Sequence, residues 1–420
     1  MGEVTGRLLA DCESVHGYVV RICFKNGPPG RVGAELEWLV APRAQPRDHI
    51  QLRSVENVCS AAASLPGGSR MTLEPGGQVE LSSQVAPDLN TCWHGLQRDI
   101  DTLDRLLSRQ HLVRLSTAID PWRQPVRHVS SPRYDAMQDY FDRDGAAGRV
   151  MMTSTAAVQV NLDAGLDPAD VRRRWGLVHA IGPTLLAAFA NSPVHAGRLT
   201  GWKSTRQRVW QALDPARVTA VTATASVTED PAASWAEYAL AAPVMMLRRP
   251  GRWLPAPGFT FREWVNGAAG LERPTEDDLA YHLTTLFPPV RPRAWLEVRY
   301  LDAQPPGLWP VPIAVVTALL EDATAGDRAA EATEPVCNRW REAARLGLDD
   351  PPLARAAARC FDAALDALPR LGAEPGLLSM VGRFVERCVL RQRCPADGQL
   401  DQRSMSDPRP RTERSCCDDG

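Results

Sequence analysis

The sequence predicts an α+β fold built on an antiparallel sheet, and three observations carry that prediction. Short alternating segments of strand type cluster along the chain, separated by loops rich in Pro and Gly. Helical segments fall between them irregularly, without the strand–helix repeat of a parallel array. Finally, 420 residues that are 44% hydrophobic supply enough apolar surface for a large core. With 23% charged residues and a net charge of −2, the composition excludes a highly charged disordered chain and a strongly basic nucleic-acid binder.

All but two of the 48 Lys and Arg residues are arginine, the exceptions being Lys25 and Lys203. Coding bias explains most of that skew. The functional reading is a site that grips carboxylates and phosphates with forked donors. The opening stretch, MGEVTGRLLADCESVHGYVV, carries acids and no long apolar run, and Gly6 stands where myristoylation needs Ser or Thr. No run of about 18 apolar residues occurs, so a soluble cytoplasmic protein without a membrane span is expected. Ten cysteines form no Cys-x-x-Cys pair. Cys388 and Cys394 lack a neighbouring His and zinc spacing, so neither a disulfide framework nor a zinc site is expected.

Taken in order, residues 31–40 alternate. Val32, Ala34, Leu36 and Trp38 point one way, while Glu35 and Glu37 point the other, about 7 Å apart along the strand. Two like charges so placed repel, and a divalent ion between them is the natural relief. Residues 71–82 read as a hairpin turned at Pro75-Gly76-Gly77, with Glu74 before the turn and Glu80 after it. Residues 155–163 form a strand with Ala156, Val158, Val160 and Leu162 on one face, and Thr155, Gln159, Asn161 and Asp163 on the other. Residues 167–190 read as a helix capped by Asp167, with Pro168 in its first turn and a kink at Pro183. Residues 295–299 put Glu297 and Arg299 on one strand face. Residues 337–391 read as helical. From 395 onward the near-absence of apolar residues predicts a disordered tail, which divides the chain into a domain at 1–394 and a tail at 395–420.

Each acidic strand alone is more simply a solvated face. Together, Glu35, Glu37, Glu74, Glu80, Glu297 and Gln159 make an oxygen-donor set that suits Mg²⁺ or Mn²⁺ rather than zinc, and such clusters usually serve phosphates. No Gly-x-Gly-x-x-Gly, His-Glu-x-x-His or Gly-x-Ser-x-Gly string occurs, and the stretch around Lys203 lacks phosphate-loop spacing.

Five strings in this order carry a family resemblance: GAELEWLV (33–40), TLEPGGQVELSS (72–83), MMTSTAAVQVNLD (151–163), FANSPVHAGRLTGWKSTRQRVW (189–210) and HLTTLFPPVRPRAWLEVR (282–299). The chain resembles the plant-type glutamate–cysteine ligases, and most closely the actinobacterial branch that supplies γ-glutamylcysteine for ergothioneine. The resemblance implies a glutamine-synthetase-like catalytic fold, in which a curved antiparallel sheet forms a funnel flanked by helices. It implies ATP-dependent joining of the γ-carboxylate of L-glutamate to the amine of L-cysteine through a γ-glutamyl phosphate. It implies two or three Mg²⁺ or Mn²⁺ ions, with Glu35, Glu74 and Glu80 holding one and Glu37, Gln159 and Glu297 another. Arg299 is the expected contact for phosphate, and Arg206 for the glutamate carboxylate. Arg198 and Thr155 are further substrate candidates, and the role of His282 stays open. Partners are small molecules only, neither nucleic acid nor membrane, with the enzyme a monomer or homodimer. Two departures stand out: Tyr238–Pro243 lacks an acid that plant relatives tend to carry, and Tyr300-Leu301-Asp302 replaces a Gly-containing continuation. The alternatives are a ligase of the same superfamily that joins glutamate to another amine, and an inactive binding protein on the same fold.

Overall fold

The computed structural model describes residues 6–221, 230–249, 252–255, 258–267 and 271–406. Its central element is a six-stranded sheet made of β1 (Val32–Trp38), β2 (Arg70–Leu73), β3 (Val79–Ser82), β4 (Ala157–Asp163), β5 (Val290–Pro292) and β6 (Trp295–Asp302). The spatial order is β5-β6-β4-β1-β3-β2, and every neighbouring pair is antiparallel. The sheet is open, with β5 and β2 at its edges.

Strand alternation sets the two faces. Val32, Ala34, Leu36 and Trp38 of β1 are buried, as are Val158, Val160 and Leu162 of β4 and Leu296 and Val298 of β6. They join one hydrophobic core with residues of the helices Leu89–Arg109, Gly182–Phe189 and Pro310–Glu321. A half-buried sheet of this kind must put its polar residues on the opposite face, and that face carries the predicted acids.

Three sequence expectations need correction. The strand expected at 155–163 begins at Ala157. Thr155 instead closes the helix Ala147–Ser154, its hydroxyl donating to the Met151 carbonyl at 2.7 Å. The helix expected over 167–190 is two helices, Pro168–Ala180 and Gly182–Phe189. The Asp167 cap is present, accepting from the Ala169 and Asp170 amides. Pro183 has no N–H to give back to the preceding turn, so the axis breaks there rather than kinking. Gly182 sits at the joint because a Cβ would lie 2.2 Å from the Trp340 ring.

The third correction concerns the tail. Residues Pro395–Ser406 form a helix whose start is docked: Cys394 and Ala396 are buried, Lys203 pairs with Asp397, and Gln399 Nε2 donates to Asn191 Oδ1 at 2.6 Å. Docking through polar bonds leaves little apolar signature, so the composition of this segment misled. Positions 407–420 lie outside the described residues. Among the described residues, no helix is long and apolar enough to cross a membrane.

Candidate active site

The polar face of the sheet floors a cavity of about 910 Å³. Register explains why the acids meet. Glu37 lies opposite Glu80, and Glu35 lies between Gln159 on one side and Ser82 on the other. Glu297 stands opposite Asn161 and Arg291. Pairing register therefore collects onto one surface side chains drawn from five strands.

Glu74 is delivered by the turn between β2 and β3. The Gly77 amide donates to the Glu74 carbonyl at 2.8 Å, and Gly77 takes φ +79°, a conformation in which a side chain would be strained. Gly76 is equally constrained, since a Cβ there would stand 2.1 Å from the Thr153 carbonyl oxygen. Gln78 locks this turn to the sheet. Its Oε1 accepts from the Gly76 amide at 2.9 Å, and its Nε2 donates to the carbonyls of Met152 and Thr155 at 3.2 and 3.0 Å.

Three sets of hydrogen bonds cross the floor. Arg299 Nη1 donates to Gln159 Oε1 at 2.7 Å and lies 3.2 Å from Glu297 Oε2. Gln159 Nε2 donates to Glu37 Oε1 at 2.8 Å. Glu80 accepts from the Thr72 and Ser82 hydroxyls at 3.0 and 2.8 Å. Asn161 Nδ2 donates to Glu35 at 3.3 Å, and its Oδ1 accepts from Trp295 at 3.1 Å.

The electrostatics divide the site in two. On one side, burial, and then the neighbouring Glu80, push the Glu37 carboxyl up to about 7. Burial, and then Glu37 and Glu80, push Glu74 up to about 8. Glu35 is raised by burial and by Glu297 and Glu80. On the other side, burial opposes the charge of Glu297, but the guanidiniums of Arg291, Arg299 and Arg293 overcome it and hold the carboxyl at about 2. The first group of acids is short of positive charge, and the second is saturated with it.

Glu35, Glu37, Glu74, Glu80 and Gln159 line the cavity together. Their all-oxygen chemistry and their unrelieved repulsion fit a hard divalent cation. As the side chains stand, no group of three or more His, Cys, Asp or Glu among the described residues is gathered ready to hold a metal. Glu297 is fully buried, and its oxygens meet Arg291 at 2.6 Å, Arg293 at 3.2 Å and Arg299 at 3.2 Å. It serves as the counter-charge that allows three arginines to converge. Breaking such a buried pair costs about 3–5 kcal/mol.

Arg299 lines the cavity, but Arg206 does not. Arg206 is only 3% exposed and lies behind Arg299, donating from Nη2 to the Arg299 carbonyl at 2.9 Å. Arg198 lies apart from the cavity, exposed on a two-residue strand paired with Val194–His195. Thr155 lines the cavity, but its hydroxyl proton is committed to Met151, so it is not a free donor to substrate. His282 is structural: its Nε2 bonds the Ala239 carbonyl at 2.9 Å, its ring stacks on Phe261, and burial pushes its pKa down to about 3.

Several cavity residues escaped the sequence reading. Arg291 lies in the middle of edge strand β5 and Arg293 just beyond its end, and their alternation in Val290–Trp295 was a usable signal. Arg133 and Trp210 also line the cavity, beside Asn161, which strand alternation places on the polar face. Arg133 is held by the Tyr281 hydroxyl and by Thr284 at 2.8–2.9 Å, and only a Ser-Pro helix start marks it in sequence.

Comparison with known proteins agrees with this geometry. Residues 31–416 match the model of glutamate–cysteine ligase family 2 (GCS2). The chain is 44% identical over 390 residues to the glutamate–cysteine ligase EgtA of Mycolicibacterium smegmatis, covering 90% of this chain and 88% of that protein. It is 41% identical over 408 residues to its namesake in Mycobacterium tuberculosis, covering 94% and 91%. A solved glutamate–cysteine ligase from Francisella tularensis, in complex with AMP, shares the fold with a TM-score of 0.50 at 13% identity, covering 90% of this chain and 86% of that one. An acid-floored cavity, an arginine set at its back and a match along nearly the whole chain lead to one assignment: the chain belongs to glutamate–cysteine ligase family 2 and is a ligase of that kind.

Proposed function

We propose that the protein joins the γ-carboxylate of L-glutamate to the amine of L-cysteine at the expense of ATP, supplying γ-glutamylcysteine for ergothioneine, as the names of its relatives suggest. The observation that carries this reading is the juxtaposition on one cavity floor of Glu35, Glu37, Glu74 and Glu80, the first three raised by burial and by neighbouring carboxylates, with the Arg299 guanidinium. A carboxylate does not acylate an amine unaided. Phosphorylating it first gives an acyl phosphate with a good leaving group, and that brings two anions together.

In this reading, Glu35, Glu37, Glu74, Glu80 and Gln159 hold two or three Mg²⁺ or Mn²⁺ ions. Such ions would neutralise phosphate charge and orient it. Arg299 faces the transferring phosphoryl group. Its fork is held by Gln159 and Glu297, so its charge is oriented before substrate arrives and little reorganisation is left for the reaction itself. Arg206 acts from behind that arginine rather than on the glutamate carboxylate. The Gln78-locked turn keeps Glu74 at the cavity wall. The enzyme works on small molecules, as a monomer or homodimer in the cytoplasm.

The test is phosphate release from ATP with glutamate and each of a panel of amines. Cysteine should stimulate release most strongly, with γ-glutamylcysteine as product. Stimulation by another amine but not by cysteine would identify a different glutamate ligase. No release with any amine would identify an inactive binding protein.

A further inference from the structure

Asp302 is the last residue of β6 and is fully buried. Its Oδ2 accepts from the Asn191 amide and the Ser192 hydroxyl, both at 2.8 Å. Its Oδ1 accepts from the Ser204 hydroxyl at 2.9 Å and faces Arg206 Nη1 at 3.7 Å. Both serines pass the order on. Ser192 Oγ accepts from the Arg206 amide at 3.1 Å, and Ser204 Oγ accepts from the Gln207 amide at 3.1 Å, capping the helix Thr205–Gln211. One carboxylate thus fixes the loop at 191–192, the start of a helix and the backbone of Arg206.

The guanidinium of Arg206 extends this to the site. Its Nη2 donates to the Arg299 carbonyl, while its Nε and Nη1 have no hydrogen-bond partner. Arg299 sits where the pairing of β6 with β4 shifts register, between Val298 and Leu301. A residue at such an irregularity loses ladder bonds and can be re-aimed, so the contact from Arg206 supplies a hold the ladder does not. Two buried guanidiniums back to back repel. Burial, and then the charge of Arg299, work against Arg206, while Asp302 and Glu37 keep it ionised. A purely architectural ion pair would not need to end on the carbonyl of an arginine that lines the cavity.

We propose that Asp302 is a positioning residue for the ligation: it seats Arg206 beneath the strand irregularity and so fixes the aim of Arg299 at the transferring phosphoryl group. The assignment rests on the ligase reading above, and wild-type phosphate release with glutamate and cysteine is therefore the reference for every variant. If wild type shows none, the ligase reading fails, whatever the variants do.

The experiment is Asp302→Asn, which removes the charge and one of the two acceptor oxygens at nearly constant shape, compared with Arg206→Met and with the double variant. Values of kcat are taken per folded molecule, with folding followed by circular dichroism. A misplacement of about 1 Å in a reacting group costs about 100-fold, so kcat should fall about 10- to 100-fold while KM for cysteine stays within about threefold. The double variant should lose little beyond either single one, since both changes release the same arginine. Wild-type kcat in folded Asp302→Asn, or effects that multiply in the double variant, would overturn the proposal. Should Asp302→Asn fail to fold, Ser192→Ala removes a single donor from the same carboxylate. Its kcat should drop several-fold with KM for cysteine unchanged, and an unchanged kcat would overturn the proposal equally.

Discussion

Arg299→Lys lowers kcat by about 100- to 1,000-fold, the range seen when one preorganised donor to developing charge is lost. The conservative charge does not rescue it. Arg299 reaches Gln159 Oε1 at 2.7 Å and Glu297 Oε2 at 3.2 Å while its guanidinium packs 6.0 Å from the Trp210 ring. Nη1 alone meets both partners, so the rest of the planar guanidinium can present donors to the cavity. A lysine ammonium is a compact point charge on a flexible stem and cannot do both. The fold survives, because Arg291 and Arg293 remain on Glu297. Steady-state phosphate release, with a melting curve as control, checks this. A lysine variant within tenfold of wild type would remove Arg299 from the phosphoryl-transfer step.

Glu37→Gln is expected to have an effect of similar size, about 100-fold or more in kcat, with a signature that needs no turnover. In chelator-treated protein, burial and Glu80 hold Glu37 at about 7, and burial with Glu37 and Glu80 holds Glu74 at about 8, against an ordinary value of 4.5. Between pH 4.5 and 8 the folded chain keeps protons that the unfolded chain has released. Stability contributed by these groups is therefore present at low pH and is lost as pH rises through 7 and 8. Mg²⁺ binds the ionised carboxylates, so its stabilisation grows over the same window. Melting temperatures from pH 5.5 to 8.5, with EDTA or with Mg²⁺, should diverge toward alkaline pH in wild type. In Glu37→Gln the EDTA curve should flatten and the Mg²⁺ gain should shrink. Parallel curves in wild type would overturn the assignment of these acids as cation ligands.

The acids were legible in sequence because strand alternation has a period of two, and a string such as Gly33–Val40 states which side chains share a face. Register was not legible, yet register is what puts Glu37 opposite Glu80 and Glu297 opposite Arg291. Without it, the enclosure of Glu297 by three arginines is invisible. Arg206 was found by its string, but its burial depends on the helix Thr205–Gln211 tucking under β6, a long-range fact. Arg198 shared that string and lies on an exposed hairpin. Segments that fold by packing apolar faces announce themselves by periodicity. The helix Pro395–Ser406, tied down by Asp397 and Gln399, does not.

The two lysines of the chain stand in opposite situations. Lys203 is enclosed by Asp349 and Asp397, which hold it protonated, since burial works against its charge and the two carboxylates prevail. Lys25 is exposed at the cavity rim. Because arginine is inert to acylating reagents, the side-chain amine chemistry of this protein reduces to a single accessible position. A dye or cross-linker attached there would sit at the mouth of the catalytic chamber, turning an accident of arginine-rich coding into a one-point optical report on substrate entry.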